Sequence, residues 1–459
     1  MSDIPVVPLP PSAEIKPAAF VCGSIMRHVL VMTGTSAIGL VSIFVVDALS
    51  LLYISWLNKP ELTAAVGYAS TVAWFFISLG IGLSIATSVL VSRAIGAGDK
   101  KQAGVMASSA LVLVASSVVV LCIAATPFLS KLLNMLGAHG ETHRYALRFL
   151  YIQLPSVPLL AMGMALSGLI RSVGDPKRAM WLTLFPAIAL AFLDPVLIFW
   201  FKWELDGAAI GLVLARVGMI CIGFTVLLLK HRLLSVPTLA NVKALYKPFF
   251  AIGLPATLTQ VASPVANAFV TSSMASFGDD AVGGWAVISR LIPMAFGVMF
   301  ALSGSIGPIM GQNYGAKRFD RIRETIVASM KVTAVYCLSI SVVLAILSSM
   351  IATSFGSVGV GREVVIFFCV FLASSFVFQG ARFVANAAFN TLGYATYSTW
   401  LNWGRATIGV MPFVWFGGQF YGPKGVIIGY SAGGVLFGVI SLWLCAKVLR
   451  EIEKKVLST

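Results

Sequence analysis

Apolar stretches of membrane length alternate along this chain with short breaks that are basic or rich in glycine. A run of about 20 apolar residues spans a bilayer as a helix, which satisfies its own backbone polar groups where no water can. The pattern predicts twelve spans, over residues 29–56, 63–92, 103–126, 147–170, 179–201, 207–229, 248–276, 283–310, 326–354, 364–391, 396–418 and 424–447. A short interfacial helix is expected within 127–146.

The spans repeat. Ser172-Val173-Gly174 followed by Trp181-Leu182 matches Thr391-Leu392-Gly393 followed by Trp400-Leu401, with every pair at one constant offset. Gly96-Ala97 matches Gly315-Ala316 at that same offset, and Gly207 with Gly211 matches Gly425 with Gly429 at an offset shorter by one. Ala65-Val66-Gly67 opens span two as Ala281-Val282-Gly283 opens span eight. Six spans per copy is an even number, so both copies share one orientation, as in transporters that bind substrate between parallel repeats.

Composition narrows the class. Charged residues make up 11% of the chain against about 25% in soluble domains, so no soluble domain of ordinary size fits. The net charge of +15 invites a nucleic-acid reading, but Lys and Arg cluster in alternate short loops, which is the orientation signal of a membrane protein. One side holds 21 of them, the other 7, and Arg216, Arg290, Arg382 and Arg405 stand at membrane depth. This bias predicts a multi-pass protein of the cytoplasmic (inner) membrane with both termini in the cytoplasm. The Pro-rich start lacks the pattern of a cleaved signal and reads as a tail. The six cysteines show no CxxC spacing, and His139 and His143 lack further ligands, so neither a disulfide framework nor a metal site is expected. Gly96-Ala97-Gly98-Asp99 lacks the strand and spacing of a phosphate loop, so no ATP-driven chemistry is expected.

The segments LVSRAIGAGDKKQAG, SGLIRSVGDPKRAMW, FLDPVLIFW, GLPATLTQ and GQNYGAKRFDRI, set between six plus six spans, resemble the multidrug and toxic compound extrusion (MATE) family over residues 25–450. The fifth-span Leu193-Asp194-Pro195 is similar to the DinF-like branch, whereas the acids that the NorM-like branch carries in helices seven and ten are absent. The resemblance implies an all-α membrane protein of twelve transmembrane helices in two pseudo-symmetric six-helix lobes around a central cavity. It also implies export of small organic compounds coupled to inward H⁺ or Na⁺, by a transporter and not an enzyme. The expected divisions are a disordered cytoplasmic tail (1–25), a first lobe (26–229), a cytoplasmic linker (230–247), a second lobe (248–448) and a C-terminal tail (449–459).

Only two of the 17 acidic residues fall inside the spans: Asp47 in span one and Asp194 in span five. A carboxylate at bilayer depth costs about 2.5–3.5 kcal/mol on insertion scales, so each is a functional candidate. A carrier of cations needs a group that is neutral in one state and charged in another, and burial favours the neutral acid. Asp47 matches the first-helix Asp of the family, and Pro195 beside Asp194 permits a kink that bares a carbonyl. Either acid can instead be structural, bonded to a neighbouring helix or capping a hinge.

In the sodium-binding pattern of the DinF-like branch an Asn precedes the fifth-helix Asp by four residues and a sixth-helix Thr adds an oxygen. Here those positions hold Leu190 and Leu212. A hard cation needs several oxygen ligands, whereas a proton needs one, so proton coupling is favoured over sodium. Arg216, one turn after Leu212, calls for a partner, which Asp194 or Asp47 can supply; the other reading is an Arg reaching for the interface.

The second lobe has the opposite polarity. Gln379, Arg382, Asn386 and Asn390 share one face of span ten, and Gln260 and Asn267 lie in span seven. They form a candidate substrate surface that admits an anionic or amphiphilic compound, or else interhelical glue. Arg290 is expected to be structural. The leading expectation is a monomeric proton-coupled antiporter in contact with lipid and without cofactor. The alternatives are a sodium-coupled one, a lipid-linked precursor flippase of the same superfamily, and a non-transporting membrane scaffold or receptor.

Overall fold

The computed structural model describes residues 18–457, and these contain helices and no strand. Ten helices follow one another: α1 Ile25–Ser55, α2 Glu61–Gly96, α3 Lys100–Met135, α4 Gly140–Ser172, α5 Pro176–Trp200, α6 Glu204–Lys230, α7 Leu239–Ala275, α8 Asp279–Gly315, α9 Phe319–Ser354 and α10 Gly359–Leu392. A last helical stretch, Ala395–Lys454, is too long for one crossing. It reverses at Gly422, which takes a φ of 58° before Pro423, giving α11 (395–421) and α12 (423–454). The reversal is tight because glycines let the two backbones touch. A Cβ on Gly425 would lie 1.9 Å from the Gly417 carbonyl, and one on Gly433 1.6 Å from that of Gly409. The twelve spans expected from hydropathy are therefore all present. Many large apolar side chains, such as Trp181, Phe192, Ile346 and Trp400, are exposed, as a lipid-facing surface needs.

The repeat is written into the backbone. Gly98 and Lys317, Gly137 and Gly356, Gly140 and Gly359, and Gly174 and Gly393 are pairs at the offset of the sequence repeat, and all eight have positive φ. Helix starts at these breaks are capped locally: Asp99 accepts from the Gln102 N–H and Asp175 from the Arg178 N–H.

Two large apolar cores form, one mainly from residues 54–252 and one mainly from residues 262–449. The packing crosses the midpoint of the chain in both directions. Ile25, Val29 and Met32 of α1 join the second core, while Leu245, Phe249 and Ile252 of α7 join the first.

Several local expectations change. Residues 1–17 of the expected tail lie outside the described residues, but residues 18–24 are held firmly. Phe20 is buried, its N–H donates to Gln312 Oε1 at 2.8 Å, and its carbonyl accepts from Asn313 at 3.1 Å and Arg321 at 3.0 Å. At the other terminus the helix of α12 continues into the expected tail as far as Leu457. The linker reduces to an irregular stretch before α7, which begins at Leu239. Within 127–146, α3 passes through one tight turn at Thr126–Phe128 into a short last helical segment, Leu129–Met135, and Gly140 already starts α4.

Candidate functional site

Asp194 meets the α1 segment that carries Asp47 and Ser50 where α1, α5 and α6 pack together. Val46, Ala187, Leu190 and Ala215 form a small apolar cluster there. Asp194 is 1% exposed, and its Oδ2 accepts a hydrogen bond from the Ser50 hydroxyl. Its Oδ1 is buried with no partner. A Cβ on Gly211 of α6 would approach that oxygen to 2.8 Å and the Leu190 side chain to 3.4 Å. Asp194 thus has one hydroxyl donor and a second oxygen that takes none. Past Pro195, Val196–Trp200 winds as a widened π-turn.

Asp47 lies one turn before Ser50 on α1. Its side chain is exposed and makes no ion pair or side-chain hydrogen bond among the described residues. Ser50 is the residue that sequence reasoning missed. The only signal was its i+3 spacing from Asp47.

Arg216 departs from expectation. It is 6% exposed, but it pairs with neither acid; its Nη1 donates to Ser156 Oγ on α4 at 2.6 Å. Ser156 sits in a tight turn at Pro155, and its hydroxyl donates a hydrogen bond to the Gln153 carbonyl at 2.7 Å. The arginine therefore ties α6 to α4, and the ion pair drawn from its position in the sequence is absent in this conformation.

The polar face of α10 is assembled as predicted but is closed. Arg382, 3% exposed, donates from Nε and Nη2 to Gln379 Oε1 at 3.2 and 2.8 Å, and from Nη1 to Asn402 Oδ1. Asn402 donates to Asn386 Oδ1 at 3.1 Å, and Ser398 to Asn390 Oδ1 at 3.4 Å. In this conformation the face binds α10 to α11 and does not line an open surface. Gln260, half-buried, and exposed Asn267 on α7 stay outside this network. Arg290 is exposed with no ion pair among the described residues, which gives no support to a structural role. Arg405, to which the sequence assigned no role, is 3% exposed, stacks 5.0 Å from the centre of the Tyr430 ring, and leaves its Nε without a partner. No Asp or Glu lies in any span of the second half, so both guanidinium groups lack a carboxylate there.

No cluster of three or more His, Cys, Asp or Glu side chains suited to a metal occurs among the described residues.

Residues 36–196 and 255–416 each match the MatE family, and the starts of the two matched segments are set apart by the offset of the internal repeat. The chain belongs to the MATE family. It is 26% identical to the FAD transporter of Shewanella oneidensis over 94% of this chain and 97% of that one. It is 24% identical to the multidrug export protein MepA of Staphylococcus aureus over 63% of this chain and 65% of that one. Its fold is similar to that of an Asp-to-Asn mutant of the Vibrio cholerae MATE transporter VcmN, with a TM-score of 0.88, 25% identity, and 93% and 97% of the two chains covered. As a MATE protein it is a multi-pass membrane transporter of small organic compounds, not an enzyme.

Proposed function

We propose that this MATE transporter is a proton-coupled antiporter of the DinF-like branch, exporting organic compounds across the inner membrane with both termini in the cytoplasm. The observation that carries this reading is the surroundings of Asp194. One carboxylate oxygen takes a single hydroxyl donor and the other faces Gly211 and Leu190. A hard cation would find too few oxygens there, whereas a carboxylic acid needs only one site for its proton. Asp47 is the open member of the pair and takes up the proton; Ser50 links the change to Asp194 and the hinge beyond it. Drug and proton then compete by reciprocal linkage through alternating access. The test is antiport itself. In acid-loaded proteoliposomes, adding a transported compound should collapse the pH gradient with the wild type and leave it standing with Asp47→Asn.

A second reading concerns the cargo. Arg382 and Arg405 are buried without a carboxylate partner, which suits an anionic compound. The full-length likeness to an FAD transporter points the same way. A charge-sorted competition series would decide it, with anionic compounds competing better than cationic ones of the same size.

A further inference from the structure

The two halves are joined, at the end that carries the α1 start and the even-helix ends, by a bond made twice. Arg93, in the last turn of α2, donates from Nε and Nη2 to the carbonyl of Thr391 near the end of α10, the Nε bond being 3.0 Å. Gln312, in the last turns of α8, donates from Nε2 to the carbonyl of Ser172 at the end of α4, at 2.7 Å. Arg93 and Gln312 are counterparts at the offset of the repeat, and so are Ser172 and Thr391. The same bond is therefore made in opposite directions across the pseudo-symmetry axis, each donor reaching into the other half.

Chemistry favours these acceptors. The last carbonyls of a helix have no partner within it and carry the negative end of its dipole, which suits a cationic or amide donor. The Gln312 half is also dry, while Arg93 is half-buried. Gln312 is fully buried, and the α2 and α8 backbones touch: a Cβ on Gly96 would fall 1.9 Å from the Gln312 carbonyl, and one on Gly315 1.9 Å from that of Arg93. The Arg93 guanidinium stacks 4.6 Å from the centre of the Tyr314 ring.

One half has an added fastening. Gln312 Oε1 accepts the Phe20 N–H, and Asn313 and Arg321 hold the Phe20 carbonyl, so the segment before α1 is strapped to α8 and α9. Arg93 has no such strap among the described residues.

We propose that Arg93 and Gln312 are paired gate residues that hold this end shut, and that the segment around Phe20 locks only the Gln312 half. Opening then begins on the Arg93 side and is completed when Phe20 leaves Gln312. This inference rests on the alternating-access reading above.

The test uses the full chain with Cys22→Ser and Cys221→Ser, carrying nitroxide labels at Lys101→Cys and Glu324→Cys, exposed positions on α3 and α9 of the two halves. Pulsed electron spin resonance in liposomes then reads the distance across the gate. Arg93→Ala should raise the long-distance (open) population about tenfold, the usual scale for losing a charge-assisted hydrogen bond. Gln312→Ala should raise it further, since it frees the strap as well, and Arg93→Lys should restore much of the closed population. Thermal unfolding in detergent identifies any variant that fails to fold; Arg93→Gln then replaces Arg93→Ala and is expected to open the gate less. An unchanged distribution in folded Arg93 and Gln312 variants, while the wild type switches with pH or substrate, would overturn the gate. A wild-type distance that never changes would overturn alternating access, and the gate with it.

Discussion

The Ser50 hydroxyl donates to Oδ2 of Asp194, joining the last turns of α1 to α5 just before Pro195. Asp47 lies one turn earlier on the same helix with its carboxylate open. A proton that arrives at Asp47 therefore changes the charge one turn from the donor on which Asp194 depends. Burial without a second donor makes this bond costly to lose. Ser50→Ala should lower stability by about 1–3 kcal/mol, the usual penalty for stranding a buried polar group. On an Asp194→Asn background the same change should cost much less, because the charge is gone. A double-mutant cycle by thermal unfolding in detergent measures the coupling.

Gly211 keeps space beside the unpartnered oxygen of Asp194. A methyl group there would press on Oδ1 at 2.8 Å. Gly211→Ala should fold with a modest loss, about 1–3 kcal/mol by the usual cost of overpacking, yet transport should fall severely. A transport assay beside a melting curve separates the two effects.

Outside the membrane, Asp175 and His231 join the start of α5 to the segment after α6, with His231 Nε2 3.2 Å from Asp175 Oδ2. Burial pushes the Asp175 carboxyl up, but hydrogen bonds from the Arg178 guanidinium and backbone N–H prevail and hold it below the usual carboxylate range. Burial pushes the His231 imidazole below its usual range against the pull of Asp175. Both groups bind protons less readily folded than unfolded, so both contribute stability that is lost as pH falls. The His231 share should be fully present above about pH 6.5 and fade below it, and the Asp175 share should fade only below about pH 4. Melting temperature scanned from pH 8 to pH 4 should show a first decline that His231→Asn removes.

The cationic interior of the second half makes a separate prediction. Arg405→Gln should reduce competition by anionic compounds about tenfold or more, on the scale of one charged hydrogen bond, and leave cationic competitors nearly untouched. Inhibition constants for matched anionic and cationic compounds check this.

Much of this architecture was legible in the sequence. Hydropathy marks every span, and Gly174 and Gly393 betray the repeat because a helix end with positive φ favours glycine. Asp47 and Asp194 stood out because an acid at that depth is costly. What stayed hidden has a physical reason. Ser50 is one hydroxyl in a chain rich in them, and its role depends on a residue 144 positions away. Arg216 and Ser156 showed no complementary charge to link them. Arg93 and Gln312 donate to backbone carbonyls, and an acceptor that every residue possesses leaves no mark in sequence. The strapping of Phe20 was missed for the same reason, since its partners hold main-chain atoms.

The central claim is that a proton, not sodium, drives export through Asp47 and Asp194. The most direct measurement is flux into reconstituted vesicles under separately imposed H⁺ and Na⁺ gradients, for wild type, Asp47→Asn and Asp194→Asn. Flux driven by the proton gradient alone, and lost in both variants, is the predicted result. Flux driven by sodium alone, or proton-driven flux at the wild-type rate in either variant, would contradict it.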